Sequence, residues 1–279
     1  MLRRHTPTRD ALAPRLATIL VAIALLVMAW SGAAGLGAAA HAEDLTLDQV
    51  VERYYQAMGG EEAWSKVTAM HQKGVMQMMG MEAPMEIWSK RPRKLRVEFT
   101  MQGMTGIQAV DGDSGWQVMP FMGSTEPEPM PDDMLKAMSS DVDVDGPLFD
   151  WQEKGHQVEL VGKEDVEGTE AYRLDLVLKG GTEITLFLDA EHFVPIRLES
   201  KASFQGQEFE STTTISDYKE VDGLMVAHSL QAETPMGAQT ITVQEVEVNP
   251  EIEDSFFAMP APAATPADPA AAPQAPPER

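Results

Sequence analysis

Apolar residues recur at every second position in segment after segment of this chain. Tyr172, Leu174, Leu176 and Leu178 alternate with Arg173, Asp175 and Val177, and Ile184, Leu186 and Leu188 with Thr185 and Phe187. Val194, Ile196 and Leu198 alternate with Pro195, Arg197 and Glu199, and Leu95, Val97, Phe99 and Met101 with Arg96, Glu98 and Thr100. A strand turns successive side chains to opposite faces, so each run has one apolar and one mostly polar face. That is the pattern of an antiparallel sheet wet on one side. Turn pairs separate the runs: Gln102-Gly103, Asp111-Gly112, Gly180-Gly181, Gln205-Gly206 and Asp222-Gly223. The spacing predicts about eleven or twelve strands at hairpin intervals. No alternation of strands with helices appears, which argues against a parallel sheet.

Helical periodicity is confined to a few places. Thr46 and Gln49 have capping-box spacing, and Leu47, Val50, Val51, Tyr54 and Met58 follow at helical intervals until Gly59-Gly60. A short second helix is expected over 61–67. Phe121 to Asp145 does not read as strand. It opens with a Pro-rich loop, EPEPMP, and continues into a short helix with Pro131 near its start and Asp132 and Asp133 in its first turn, where the dipole favours acids. Met134, Leu135 and Met138 share one face of that helix. A long sheet with one apolar face and so few helices must curl. The expected architecture is a strongly curved, half-open antiparallel barrel of about eleven strands, with a helical lid over an apolar cavity.

Residues 1–42 read as a secretory signal peptide: four arginines, an uncharged run over 16–30, and Ala40-His41-Ala42 as the cleavage site. The mature domain is then 43–259, and Pro260–Arg279 is a disordered Pro/Ala tail. Cleavage removes four positive charges and one negative one, which takes the net charge from −23 to −26. So acidic a chain argues against nucleic acid and anionic bilayers as partners. With no cysteine, the chain has no disulfide, no thiolate chemistry and no cysteine-borne lipid anchor.

Catalytic motifs are missing. His71, His156, His192 and His228 lie outside metal-ligand spacing of one another, and the nucleophile-elbow, phosphate-loop and dinucleotide motifs do not occur. The reading is therefore non-catalytic, with no cofactor. Asp141, Asp143, Asp145 and Gly146 match the first half of a calcium-binding loop, but Gln152 stands where the bidentate glutamate belongs. A turn preceded by solvated acids explains the same residues. Thirteen of the nineteen methionines lie between Met70 and Met138. Three readings stay open: ordinary core, a deformable cavity wall, or a soft-metal site for Cu(I) with Met225 and His228 as further candidate ligands.

Two stretches, IWSKRPRKLRVEF (87–99) and AVDGDSGWQVMPF (109–121), resemble the outer-membrane lipoprotein-sorting (LolA-like) superfamily. The likeness rests on Trp88, Lys90-Arg91-Pro92, Asp111-Gly112, Trp116 and Pro120-Phe121. It extends to AMGGEEAW before them and DYKEVDGLMVAHSL (217–230) after them. It implies a half-barrel with a helical lid over an apolar cavity. There, soluble periplasmic carriers hold acyl chains of lipoproteins between an inner-membrane transporter and an outer-membrane acceptor. The resemblance gives Arg91 the role of holding the lid through hydrogen bonds to the lid's backbone; an ordinary strand-end arginine is the alternative. Met76, Met78, Met85, Ile87, Leu95, Val97, Phe99 and Trp116 are the candidate wall, and Met134, Leu135 and Met138 the lid face. An envelope sensor or adaptor using the same fold is the alternative function.

Overall fold

The computed structural model describes residues 45–261, apart from 79, 139–141, 205–206 and 235–236. The expected signal peptide, the tail beyond 261, Asp141 and the Gln205-Gly206 turn lie outside the described residues. The fold is a single antiparallel sheet of thirteen strands with a few short helices. The strands are β1 (Ala69–Met78), β2 (Met81–Lys90), β3 (Lys94–Met101), β4 (Met104–Asp111), β5 (Ser114–Met119), β6 (Ser124–Pro129), β7 (Gln157–Val166), β8 (Thr169–Val177), β9 (Glu183–Asp189), β10 (Pro195–Phe204), β11 (Gln207–Val221), β12 (Leu224–Thr234) and β13 (Gly237–Val248). Their spatial order is β6-β5-β4-β3-β2-β1-β13-β12-β11-β10-β9-β8-β7. Two meanders are thus joined by the β1–β13 pair, and the chain passes between opposite edges of the sheet over residues 130–156.

That crossover carries α3 (Asp132–Met138) and α4 (Trp151–Lys154). α3 approaches both β4 and β10: the Gln108 amide on β4 donates to the Met134 sulfur at 3.4 Å, and the helix lies against β10. In a flat sheet seven strand spacings would part those strands by about 34 Å, whereas a seven-residue helix is only about 10 Å long. The sheet is therefore strongly curled and stays open, with the crossover on its concave side.

α1 (Leu47–Ala57) starts at the capping box its sequence announces. Thr46 Oγ1 accepts from the Gln49 amide, and Gln49 Oε1 accepts from the Thr46 amide. Gly59 ends the helix at φ 110°; a β-carbon there would stand 2.3 Å from the Gly223 carbonyl oxygen, so only glycine lets the helix end meet the β11–β12 turn. α2 (Glu61–Ser65) follows, shorter than expected. Val50 and Tyr54 of α1, Trp64 of α2 and Leu148 and Phe149 of the crossover pack on Leu174, Leu176, Leu186 and Leu188. This is the main core, and its sheet side is the alternating pattern seen in the sequence.

The edges are protected. Residues 124–129, expected as a loop, form the edge strand β6. Pro127 and Pro129 lack an amide donor and are tolerated there because one side of an edge strand has no ladder to complete. The other edge, β7, is rich in charge and broken by a bulge at Leu160/Gly162. Among the described residues, no helix is long and apolar enough to cross a membrane.

Candidate functional site

Register decides which side chains share the concave face of the β1–β5 half. Met85 pairs with Phe99 and Phe99 with Gly106. Ile87 pairs with Val97, Val97 with Gln108 and Gln108 with Gln117. Leu95 pairs with Val110 and Val110 with Gly115. Met76 pairs with Ala83, two residues from Met85 on the same face. Seven of the eight candidate wall residues thus lie on one apolar surface: Met76, Met78, Met85, Ile87, Leu95, Val97 and Phe99. Trp116 does not. It pairs with Ala109, Ala109 with Arg96 and Arg96 with Trp88, a row on the opposite face. Its indole N–H donates to the Phe257 carbonyl at 2.8 Å, and Arg96 lies over its ring. The tryptophan is buried because the C-terminal residues 249–257 strap the outer face, through Asn249, Lys90–Asp254 and the Arg96 donation to the Phe256 carbonyl. Sequence alternation could have separated Trp116 from its neighbours; the strap that buries it left no local signal.

The crossover roofs this surface. Met138 and Val142 pack on Leu95 and Val110 together with Leu135. Gly115 is small where a roof side chain comes down, and Gly106 where Phe121 and Phe99 meet the strand. A β-carbon would stand 2.8 Å from Leu135 Cδ1 at Gly115, and 2.8 Å from both Phe121 and Phe99 at Gly106. Two polar side chains interrupt the floor: Gln108, which donates to the Met134 sulfur, and Gln117, which is buried with its Oε1 accepting no hydrogen bond. Beside the β1–β2 turn lies a cleft of about 320 Å³ lined by Gln77, Met78, Gly80, Met81, Glu82, Ala238 and Thr240; Gln77 pairs with Glu82 and Thr240, a row on the face opposite Met76 and Met85.

Polar ties hold the roof. The Arg91 guanidinium donates to the Asp145 carboxylate at 2.7 Å, to the Val67 carbonyl at 2.8 Å and to the Trp64 carbonyl at 3.4 Å. Lys154 donates to the other Asp145 oxygen at 2.6 Å and to the Gly146 carbonyl at 2.7 Å. Tyr55 donates to the Leu148 carbonyl at 2.7 Å, and burial pushes its phenol up to about 12. Arg91 therefore reaches the crossover through a side-chain carboxylate; the main-chain oxygens it binds belong to the α2 region, not to 121–145 as the resemblance implied. Asp145 is 1% exposed, and its partners replace the water a carboxylate needs.

The same contacts bear on the calcium-loop reading. The Lys154 ammonium stands 2.6 Å from Asp145 and 3.6 Å from Asp143, so cations of the chain already neutralise two of the three acids. Among the described residues no His, Asp and Glu side chains converge with metal-site geometry. His228 is buried, its Nδ1 facing the Val226 carbonyl, and it and Met225 point to opposite faces of β12. The two therefore do not converge on one ion. Lys154 went unremarked in the sequence, since nothing local ties it to Asp145 or to Arg91.

No family model matches the chain, and no curated protein does. Solved structures do. A LolA superfamily protein from Nitrosomonas europaea aligns with TM-score 0.53 at 13% identity, covering 77% of this chain and 98% of that one. A domain described as that of an outer membrane lipoprotein-sorting protein, from Vibrio parahaemolyticus, gives 0.51 at 15%, covering 74% and 97%. A DUF1329 family protein from Desulfovibrio piger gives 0.52 at 16%, covering 75% and 97%. Over nearly their whole length these proteins share the curled sheet, and the fold of this chain is that of the LolA-like, lipoprotein-sorting structures.

Proposed function

We propose that the protein is a soluble, non-catalytic periplasmic carrier that holds the acyl chains of a lipoprotein or other lipid between the concave sheet face and the crossover. The observation that supports this reading most is the shared apolar face of Met85, Ile87, Leu95, Val97 and Phe99 on β2 and β3, under a roof tied down by Arg91 and Asp145. Burial of methylenes supplies the affinity. At about 0.8 kcal/mol each, a sixteen-carbon chain gains on the order of 10 kcal/mol before the costs of opening the roof and fixing the ligand. The roof lies on the floor at Gly115, Leu95 and Val110, so uptake requires the crossover to lift, and apparent affinity falls with the population of the lifted state. Cargo would arrive from an inner-membrane transporter and leave to an outer-membrane acceptor.

Native mass spectrometry of protein recovered from a Gram-negative periplasm tests the reading, followed by titration with a palmitoylated peptide. Bound masses matching lipid or acylated peptide, with saturable binding of the palmitoylated peptide and none of its unacylated form, are expected. Equal binding of the two peptides would overturn the proposal.

A further inference from the structure

Two hairpins at the open end of the groove repeat one sequence form. Met78-Met79-Gly80-Met81 leads from β1 to β2, and Met101-Gln102-Gly103-Met104 from β3 to β4. Gly80 and Gly103 have φ of 76° and 79°, as tight hairpin turns demand. In consequence Met78 stands directly opposite Met81, and Met101 opposite Met104. Register extends the set: Met76 pairs with Ala83, the residue two beyond Met81, and Met101 lies two beyond Phe99, the partner of Met85. All these side chains leave the same face of the sheet.

Ala83 shows where they go. It is a small side chain, yet it is 1% exposed, in one buried cluster with Met76 and Met85 against which Met101 packs. Long thioethers therefore fold inward over a short methyl group. Met78 and Met81 continue the set outward to the β1–β2 turn, and Met81 is 40% exposed. Directly opposed strand residues have β-carbons about 5 Å apart, within reach of two flexible side chains converging on one ion.

Thioether sulfur is a soft, neutral donor. It prefers Cu(I) to the harder divalent ions and needs no deprotonation to bind. The chain has no cysteine to compete for such an ion, and its net charge of −23 favours approach of a cation. We propose that Met76, Met78, Met81 and Met101 form a thioether site for Cu(I) at the mouth of the groove, distinct from acyl-chain burial on Met85, Ile87, Val97 and Phe99.

The test is Cu(I) binding to the purified protein under ascorbate, against a colorimetric Cu(I) chelator, with X-ray absorption on the loaded sample. One equivalent bound through sulfur is expected, with affinity unchanged between pH 7 and pH 5, where imidazole or carboxylate sites weaken. Met78→Leu with Met81→Leu removes two donors at nearly constant volume and should weaken binding by at least about 100-fold. Met76→Leu with Met101→Leu should do the same, and Met134→Leu with Met138→Leu should have no effect. Nitrogen or oxygen ligation, or wild-type affinity in either of the first two pairs, overturns the proposal. Metal binding is read from bound copper and its sulfur ligation, and acyl-chain binding from the palmitoyl-peptide titration of the wild-type protein. The carrier reading and the copper site can thus fail separately.

Discussion

Asp145→Asn removes one charge and almost no volume from the centre of the polar tie. The wild-type carboxylate lies 2.7 Å from Arg91 and 2.6 Å from Lys154, and its side chain is 1% exposed. Asparagine keeps one acceptor oxygen and turns a donor toward the second cation. Taking one partner from a buried ion pair costs about 3–5 kcal/mol, because the remaining charge is left without solvent or counter-charge. Two facts place this case at the lower end. Arg91 is 35% exposed and keeps its bond to the Val67 carbonyl, and Lys154 keeps the Gly146 carbonyl with Asp143 at 3.6 Å. The expected loss is about 3 kcal/mol, which for a domain of this size lowers the melting temperature by about 6–12 °C. Urea unfolding checks it: the midpoint should fall at constant slope. The stronger test is Arg91→Met, Asp145→Leu and Lys154→Met together. Replacing the whole cluster by apolar groups leaves no orphaned charge, so the triple variant should lose less than the single one. If Asp145→Asn stays within about 1 kcal/mol of wild type, or the triple variant is the less stable, this account of the tie is wrong.

Leu95→Glu and Phe99→Glu should each abolish palmitoyl-peptide binding, whereas Glu98→Gln on the opposite face should leave it intact; equal effects in a titration would show that the faces are misassigned. Gly74→Ala should cost about 3 kcal/mol in urea unfolding, because the added β-carbon meets the Thr242 main-chain oxygen at 2.2 Å beside the bulge in β1. Burial, and the positive charge of Lys154, hold the His156 imidazole below its ordinary range, while its Nδ1 accepts the Lys179 amide. The unfolded chain takes up the proton near about pH 6.5 and the folded one resists it. Stability from this residue is therefore present above that pH and is lost as pH falls through the folded value. Urea midpoints at pH 7.5 and 5.5 should differ less in His156→Gln than in wild type.

What could be read in the sequence was what local periodicity encodes. The Tyr172–Leu178 and Ile184–Leu188 alternations sit in the main core, and the Thr46–Gln49 cap has both of its bonds. The helix carrying Met134, Leu135 and Met138 is present over Asp132–Met138. Pairing across the sheet could not be read, because β1 meets β13 across most of the chain. β6 was hidden because proline marks a break wherever a strand has two neighbours and is harmless where it has one. In the candidate site alternation tells which side chains of β2 and β3 share a face. Trp116 is out of phase with Gly115 and Gln117 of β5, and the C-terminal strap that buries it is distant in sequence. Asp145 was visible only as one acid among several, since a carboxylate's burial depends on where distant cations fall.

Topology alone accounts for the roof. With β6 and β7 at opposite edges, the chain between them must cross the sheet, and with α1 over the β8–β9 side it crosses where the β2–β5 floor is bare. The crossing segment is held unevenly. Leu148 and Phe149 are fully buried among Tyr54, Tyr55 and Trp64, and Asp145 is fixed by two cations. Met134 and Leu135 of α3 are only half-buried, on a helix of seven residues that has little stability of its own. Local opening is cheapest where the fewest apolar contacts are lost, so α3 should lift while the segment from Val142 to Phe149 stays anchored. Amide hydrogen exchange would show this as fast exchange over Leu135–Met138 against slow exchange over Leu148–Phe149. The reverse order would place the moving part of the roof at the Asp145 end and make Arg91 the gate rather than the hinge.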